Sequence, residues 1–308
     1  MAQNVAAIVV TYNRKDLLLE NIECLLNQKP IVPTIVIIDN HSNDGTGEAL
    51  KQYIADERII YCDTGANLGG AGGFSYGIRY AAEHGYDYVW VMDDDCMPKD
   101  DALSAFLTAD KKLNGEYGFL SSKVLWKDGS ICTMNVQRKT ITRKVMSFGK
   151  EIQPVVMASF VSLFLPRHII MEMGLPIKDF FIWTDDWEYT RRISRKYKSY
   201  VVPDSVVIHK SKSNIGANIV TESEDRLDRF DYLYRNDVYL YRREGIKGFL
   251  YETARLSGHC LKVIFKSTDN RSKRLQKIIM GTIRGLSFRP EIEYAERQRM
   301  KEPDNTEL

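Results

Sequence analysis

Four stretches of this sequence gather carboxylates, glycines or a histidine in patterns that could do chemistry. Directly after the apolar run 86–92 come Asp93, Asp94 and Asp95. In a chain leaving a strand alternate side chains point the same way, so Asp93 and Asp95 could share a cation. Oxygen ligands favour Mg2+ or Mn2+, whose shells are usually completed by substrate phosphates. The simpler alternative is an exposed acidic turn before Pro98. At 181–189 the string FIWTDDWEY sets Asp185 and Asp186 among aromatic rings. Such flanks lower the local dielectric and raise a carboxylate pKa, which suits a general base, and their flat faces suit sugar rings. The same acids could instead only open a helix. The string NLGGAGGF at 67–74 lets backbone approach a ligand closely ahead of a helix, or simply lets that helix pack tightly. It follows the third strand, whereas dinucleotide-binding glycines belong to the first strand-helix turn. His209 precedes KSKS at 210–213, so beside Lys210 and Lys212 it reads as a ligand near a diphosphate, or as an ordinary satisfied histidine.

The elements that must hold these residues follow from periodicity. Runs at 5–10, 34–38, 58–62 and 86–92 are apolar and rich in β-branched residues, as strands covered on both faces are. Between them, 16–27 places Leu18, Ile22, Leu25 and Leu26 on one helical face, and 74–83 is a second helix candidate. Alternation of this kind predicts a mostly parallel, Rossmann-like sheet flanked by helices. In such sheets ligands bind beyond the carboxyl ends of the strands. There stand Thr11, Tyr12, Asn13 and Arg14 after the first strand, Asp39 and Asn40 after the second, and the aspartates after the fourth. Further on, 117–125 and 155–165 read as strands around a polar excursion at 131–147, and from 221 the pattern turns helical and charged. Between 241 and 289 twelve Lys and Arg face three acids. That segment reads either as a solvated helical pair packed on the preceding unit or as a peripheral helix at an anionic membrane surface. The expected division is therefore 1–220, a helical basic region 221–290, and a polar tail 291–308 with little order.

Composition narrows the function classes. A formal net charge of +2 gives no whole-chain argument for nucleic-acid binding. The five cysteines form no CxxC, against a disulfide framework or structural zinc, and a reducing cytoplasm is expected. The start of the chain reads as a strand rather than a signal peptide. The apolar run 155–165 falls short of the roughly 20 residues a spanning helix needs.

Taken in order, these motifs resemble family 2 of the glycosyltransferases, over roughly residues 4 to 245. The forms NLGGAGGF and WTDDWEY are most similar to bacterial galactofuranosyltransferases and their rhamnosyltransferase relatives. The resemblance implies a GT-A fold with a C-terminal helical extension, Mn2+ or Mg2+ as cofactor, and inverting transfer from a nucleotide sugar. The donor would be UDP-galactofuranose or, alternatively, dTDP-rhamnose, and the acceptor a cell-surface or lipid-linked glycan on the cytoplasmic side. It implies that Thr11, Tyr12, Asn13, Arg14, Asp39, Asn67, Gly69, Gly70, Asp93 and Asp94 bind the donor, with Lys210 and Lys212 near its diphosphate. Asp93, Asp95 and His209 would hold the metal. Asp186 would be the catalytic base, and Trp183, Asp185 and Trp187 would contact the acceptor. Two departures bear on acceptor identity: Ser75 stands where many members have a second asparagine, and FVSLF at 160–164 lacks the tryptophan pair of a polymerising enzyme.

Two other classes compete. A non-catalytic sugar-nucleotide or glycan-binding module would need no base, yet Asp186 and His209 are both present. A nucleotidyltransferase usually carries a glycine- and basic-rich loop after its first strand, and 11–16 has no glycine.

Overall fold

In the computed structural model, residues 4–296 are described. The chain runs β1 (Val5–Thr11), α1 (Lys15–Leu26), β2 (Thr34–Asp39), α2 (Thr46–Leu50), β3 (Ile59–Asp63), α3 (Gly69–Glu83), β4 (Tyr88–Asp93), β5 (Cys96–Pro98) and α4 (Ala102–Lys112). It continues with β6 (Leu120–Trp126), β7 (Gln153–Val155), β8 (Leu163–Pro166), α5 (Arg167–Met173), α6 (Asp185–Ser194) and β9 (Ser199–His209). Three helices close it: α7 (Arg229–Arg242), α8 (Gly245–Lys266) and α9 (Arg271–Ser287).

The strands form one mixed sheet in the order β3-β2-β1-β4-β8-β6-β9-β5, with β7 also on β9. Pairing is parallel from β3 through β4 and antiparallel on both sides of β8. Alternation along β1 shows why its sequence lacks polar positions. Val5, Ala7 and Val9 pack on one face with Leu18 and Ile22 of α1, while Ala6, Ile8 and Val10 pack on the other with Phe74 and Ile78 of α3. Both faces are thus inside, and each buried Ile or Val stabilises the fold by about 1.5–3 kcal/mol.

Helix α3 begins at Gly69, so most of the glycine string lies in the helix rather than before it. A Cβ on Gly77 would stand 2.3 Å from Ile8 Cγ2, and one on Gly73 2.6 Å from Val10 Cγ1. Those two glycines seat α3 on the sheet. The run 155–165 is not one strand either. It ends β7 at Val155, turns, and resumes as β8 at Leu163. The turn is fixed by its hydroxyls: Ser162 Oγ accepts from Trp90 Nε1 at 2.8 Å and lies 2.7 Å from Ser122 Oγ.

The stretch expected to be loose from 291 is docked as far as 296. Glu293 pairs with Arg79 at 2.6 Å and with Lys178 at 2.5 Å, and Ala295 is buried. A polar sequence hid this because the anchoring is ionic. Residues 297–308 of that tail lie outside the described residues.

Candidate functional site

Beyond the carboxyl ends of β1 and β4 the aspartates are held in a fixed pattern. Thr11 Oγ1 donates to Asp94 Oδ2 at 2.8 Å, and Arg14 Nη1 contacts Asp94 Oδ1 at 3.2 Å and Asp95 Oδ2 at 2.7 Å. Asp94 is therefore turned inward, bound to the loop that follows β1. Asp93 faces a cavity of about 760 Å³ that His209, Asp185 and Asp186 also line. The last residue of β9 brings His209 beside β5, where its Nε2 lies 3.1 Å from Asp95 Oδ1. Its Nδ1 is 2.8 Å from Asn135 Oδ1.

Burial pushes the Asp94 carboxyl up to about 6, and burial with neighbouring Asp95 raises Asp93. Burial would also raise Asp95, but its bond to His209 and the charges of His209 and Arg14 together hold it below the usual range. Burial opposes protonation of His209, yet its contact with Asp95 outweighs this and raises the imidazole to about 10. Four ionisable groups are thus packed where a cation and an anionic ligand could relieve them.

Asp95 Oδ1 is a buried acceptor without a well-aligned hydrogen-bond donor, although the His209 ring is near. A carboxylate and an imidazole whose far nitrogen is oriented by an amide make a donor pair suited to a divalent cation. The residues therefore fit Mn2+ or Mg2+. Among the described residues no group of three His, Cys, Asp or Glu side chains is already gathered as a metal-binding set. Asp95 and His209 lie 3.1 Å apart, and Asp93 lines the same cavity as His209.

The turn into α6 also lines the cavity. Phe181, Trp183 and Thr184 have φ of 63°, 64° and 69°, in the left-handed region that side chains disfavour. Two helices, α7 and α3, hold that turn. Asn236 of α7, fully buried, directs Nδ2 at the carbonyls of Phe180, Ile182 and Trp183 at 3.0, 3.1 and 3.0 Å. Thr184 Oγ1 donates to Asp237 Oδ1 at 2.7 Å, and Ala71 N donates to the Phe181 carbonyl at 3.1 Å. Gly69, with φ of 72°, is needed here, because a Cβ would stand 2.2 Å from that same carbonyl oxygen.

Asp185 and Asp186 then open α6, where the helix N-terminus favours negative charge. Trp187 N donates to Asp186 Oδ1 at 2.7 Å. Burial nevertheless raises Asp185 to about 6, and burial with the charge of Asp185 raises Asp186 well above an ordinary aspartate. A carboxylate of this kind can accept a proton from a hydroxyl near neutral pH.

The cavity gathers Gly70, Asp93, Trp183, Asp185, Asp186, Trp187 and His209 of the residues singled out by sequence. Gly70 has open space where a Cβ would stand. The others lie behind or beside it. Asp39 is buried, with Ser42 N and Oγ donating to Oδ1 at 2.9 and 2.6 Å and Tyr61 OH to Oδ2 at 2.9 Å. Tyr12 is exposed; Asn13 Oδ1 accepts from Asn43 N, tying the first loop to the second. Asn67 Oδ1 accepts from Gly69 N at 2.9 Å, shaping the start of α3. Lys210 pairs with Glu20, and Lys212 is exposed.

Sequence reasoning missed Arg138, Lys144, Tyr241, Arg255 and His259, which also line the cavity. The Arg138 guanidinium sits 3.7 Å from the centre of the Trp187 ring. Basic residues in the polar excursion 131–147 were the available signal. Arg255 bonds Asp237 Oδ2 at 2.6 Å and Glu252 Oε2 at 2.7 Å, and nothing in its surroundings along the chain pointed to that role.

Residues 6–116 match the model of glycosyl transferase family 2. The chain is 27% identical over 267 residues to galactofuranosyltransferase GlfT1 of Mycobacterium tuberculosis, covering 81% of this chain and 86% of that protein. It is 24% identical over 299 residues to dTDP-rhamnosyl transferase RfbF of Shigella flexneri, covering 93% and 96%. Among solved structures, S. aureus TarS 1-349 aligns with a TM-score of 0.54 at 13% identity, over 92% of this chain and 72% of that one. GalNAc-T7, solved with UDP, GalNAc and Mn2+, gives 0.58 at 16% identity over 77% and 49%. Both share this arrangement of a central sheet between helices.

Proposed function

We propose that this chain, a nucleotide-sugar-using glycosyltransferase that belongs to family 2 through residues 6–116 and has the GT-A fold, is an inverting enzyme with Asp186 as its base. The observation that carries the reading is one cavity lined by Asp186, which follows a strained and clamped turn, together with Asp93 and His209. Its donor is a UDP-sugar, galactofuranose in the first instance, as the likeness to GlfT1 supports. The likeness to RfbF supports dTDP-rhamnose as the second reading.

In the reaction the acceptor hydroxyl gives its proton to Asp186 while its oxygen bonds to the anomeric carbon from the face opposite the diphosphate. The bond from that carbon to the diphosphate breaks, and the diphosphate leaves with the electron pair. Asp95 and His209, with Asp93, would hold Mn2+ or Mg2+, which when bound supplies positive charge against the departing diphosphate. Thr11 and Arg14 fix Asp94 and Asp95 so that the acidic edge keeps its shape. Tyr12, Asn13, Asp39, Asn67, Gly69 and Gly70 border the donor, and Lys210 and Lys212 lie on its diphosphate side. Trp183, Trp187 and Asp185 receive the acceptor glycan. Residues 1–220 form the catalytic unit in this reading, and 221–290 complete its cavity.

Asp186→Asn is expected to abolish transfer while calorimetry still detects donor nucleotide; normal transfer by the variant would refute the base. Titrating UDP and dTDP with and without Mn2+ separates the two donor readings. Manganese-supported preference for UDP supports the first, and preference for dTDP the second.

A further inference from the structure

We infer that the outward faces of α8 and α9 are a docking surface for an anionic lipid bilayer. Along α8, Ile246, Phe249, Leu250, Leu261, Ile264 and Phe265 recur at helical spacing and are exposed, Phe249 by 65% and Phe265 by 76%. Thr253, Ala254 and Ser257 fill the same stripe, so no charge interrupts it. The inward face of the helix is spent differently: Glu252 and Val263 are buried, and Arg255 and His259 line the cavity. On α9 the residues Ile279, Met280, Ile283 and Leu286 are likewise exposed, while Ile278, Gly281 and Gly285 are buried, the two glycines against α7.

An exposed apolar face on a soluble-type fold marks a contact surface, and its flanks identify the partner. Lys247, Lys262 and Lys266 border the α8 stripe, are exposed, and make no ion pair among the described residues. Of the basic residues in 241–289, Arg255, Lys273, Arg274, Lys277 and Arg284 are paired with acids, so it is Lys247, Lys262 and Lys266 that give the face its positive charge. Two copies meeting through this face would set lysine against lysine. A surface of anionic headgroups gives each lysine an opposite charge and each apolar side chain a place among acyl chains. No described helix is long and apolar enough to cross a membrane, so the contact is one of lying on the surface. The inference rests on the reading above only for its purpose, the delivery of a lipid-linked acceptor.

The test is co-sedimentation of the full chain with vesicles of phosphatidylcholine, alone or mixed with phosphatidylglycerol. Pelleting only with phosphatidylglycerol, weakened by salt, is expected. Phe249→Glu with Phe265→Glu should lower binding at least about tenfold, while transfer to a water-soluble acceptor is retained. Lys262→Glu with Lys266→Glu, a separate surface variant, should lower it in the same direction. A wild-type chain that stays in the supernatant with phosphatidylglycerol vesicles, or variants that pellet as it does, would overturn the inference. So would a wild-type dimer that the phenylalanine variant converts to monomer without any vesicle binding. Vesicle binding and transfer are read separately, so loss of one leaves the other standing.

Discussion

Asp186 carries opposite demands. As the proposed base it would have to be ionised, yet burial and Asp185 favour its neutral form. A raised native pKa means that ionising the group costs folding stability above that pKa and costs nothing once both states are protonated. Asp186→Asn is therefore expected to melt at a higher temperature than the wild type at pH 8, the difference shrinking toward pH 4. The acidic limb of kcat/KM should lie above the ~3.9 of an ordinary aspartate. Equal melting temperatures at pH 8, or a limb at the ordinary position, would count against a strained base. The aromatic flanks made this residue legible in the sequence. Asp93, Asp94 and Asp95 were legible as a cluster, but which one turned inward was not, because that depends on Thr11 and Arg14, some eighty positions away.

The turn at 181–184 owes its shape to α7. One amide of Asn236 reaches three backbone carbonyls, and no periodicity in 229–242 distinguishes it from other buried polar residues. Removing it takes the amide donor from the Ile182 and Trp183 carbonyls, while that of Phe180 keeps Ile182 N at 2.7 Å, and leaves a strained turn unclamped, a loss of about 1–3 kcal/mol by the usual cost of an unsatisfied group. Asn236→Ala should lower kcat far more than it weakens nucleotide binding, since the proposed donor residues Thr11 to Arg14, Asp93 and Asp94 stand at or just after the ends of β1 and β4. Equal losses in both would show general unfolding instead, which thermal melting would report. The strands β1 to β4 and their mostly parallel, helix-flanked arrangement followed from local apolar runs. By contrast, the insertion of β8 beside β4 and the break in 155–165 depend on the serine contacts across the sheet.

At the scale of the molecule the helical region is not an appendage to a complete site. Helix α7 supplies Asn236, Asp237 and Tyr241, and α8 supplies Arg255 and His259. A chain ended after residue 220 is expected to lose transfer and to melt lower than the full chain, whereas a separable module would leave both intact. Transfer by the shortened chain at the full rate would refute this. Helix α8 has a further consequence. Its inner face walls the cavity and its outer face is the apolar stripe, so one helix, about 10–12 Å thick with its side chains, stands between them. On the bilayer inferred above that thickness would act as a ruler: a lipid-linked acceptor whose stem is shorter than one helix diameter would not bring its terminal hydroxyl to Asp186, the proposed base, and substrate length would be selected before any sugar is recognised.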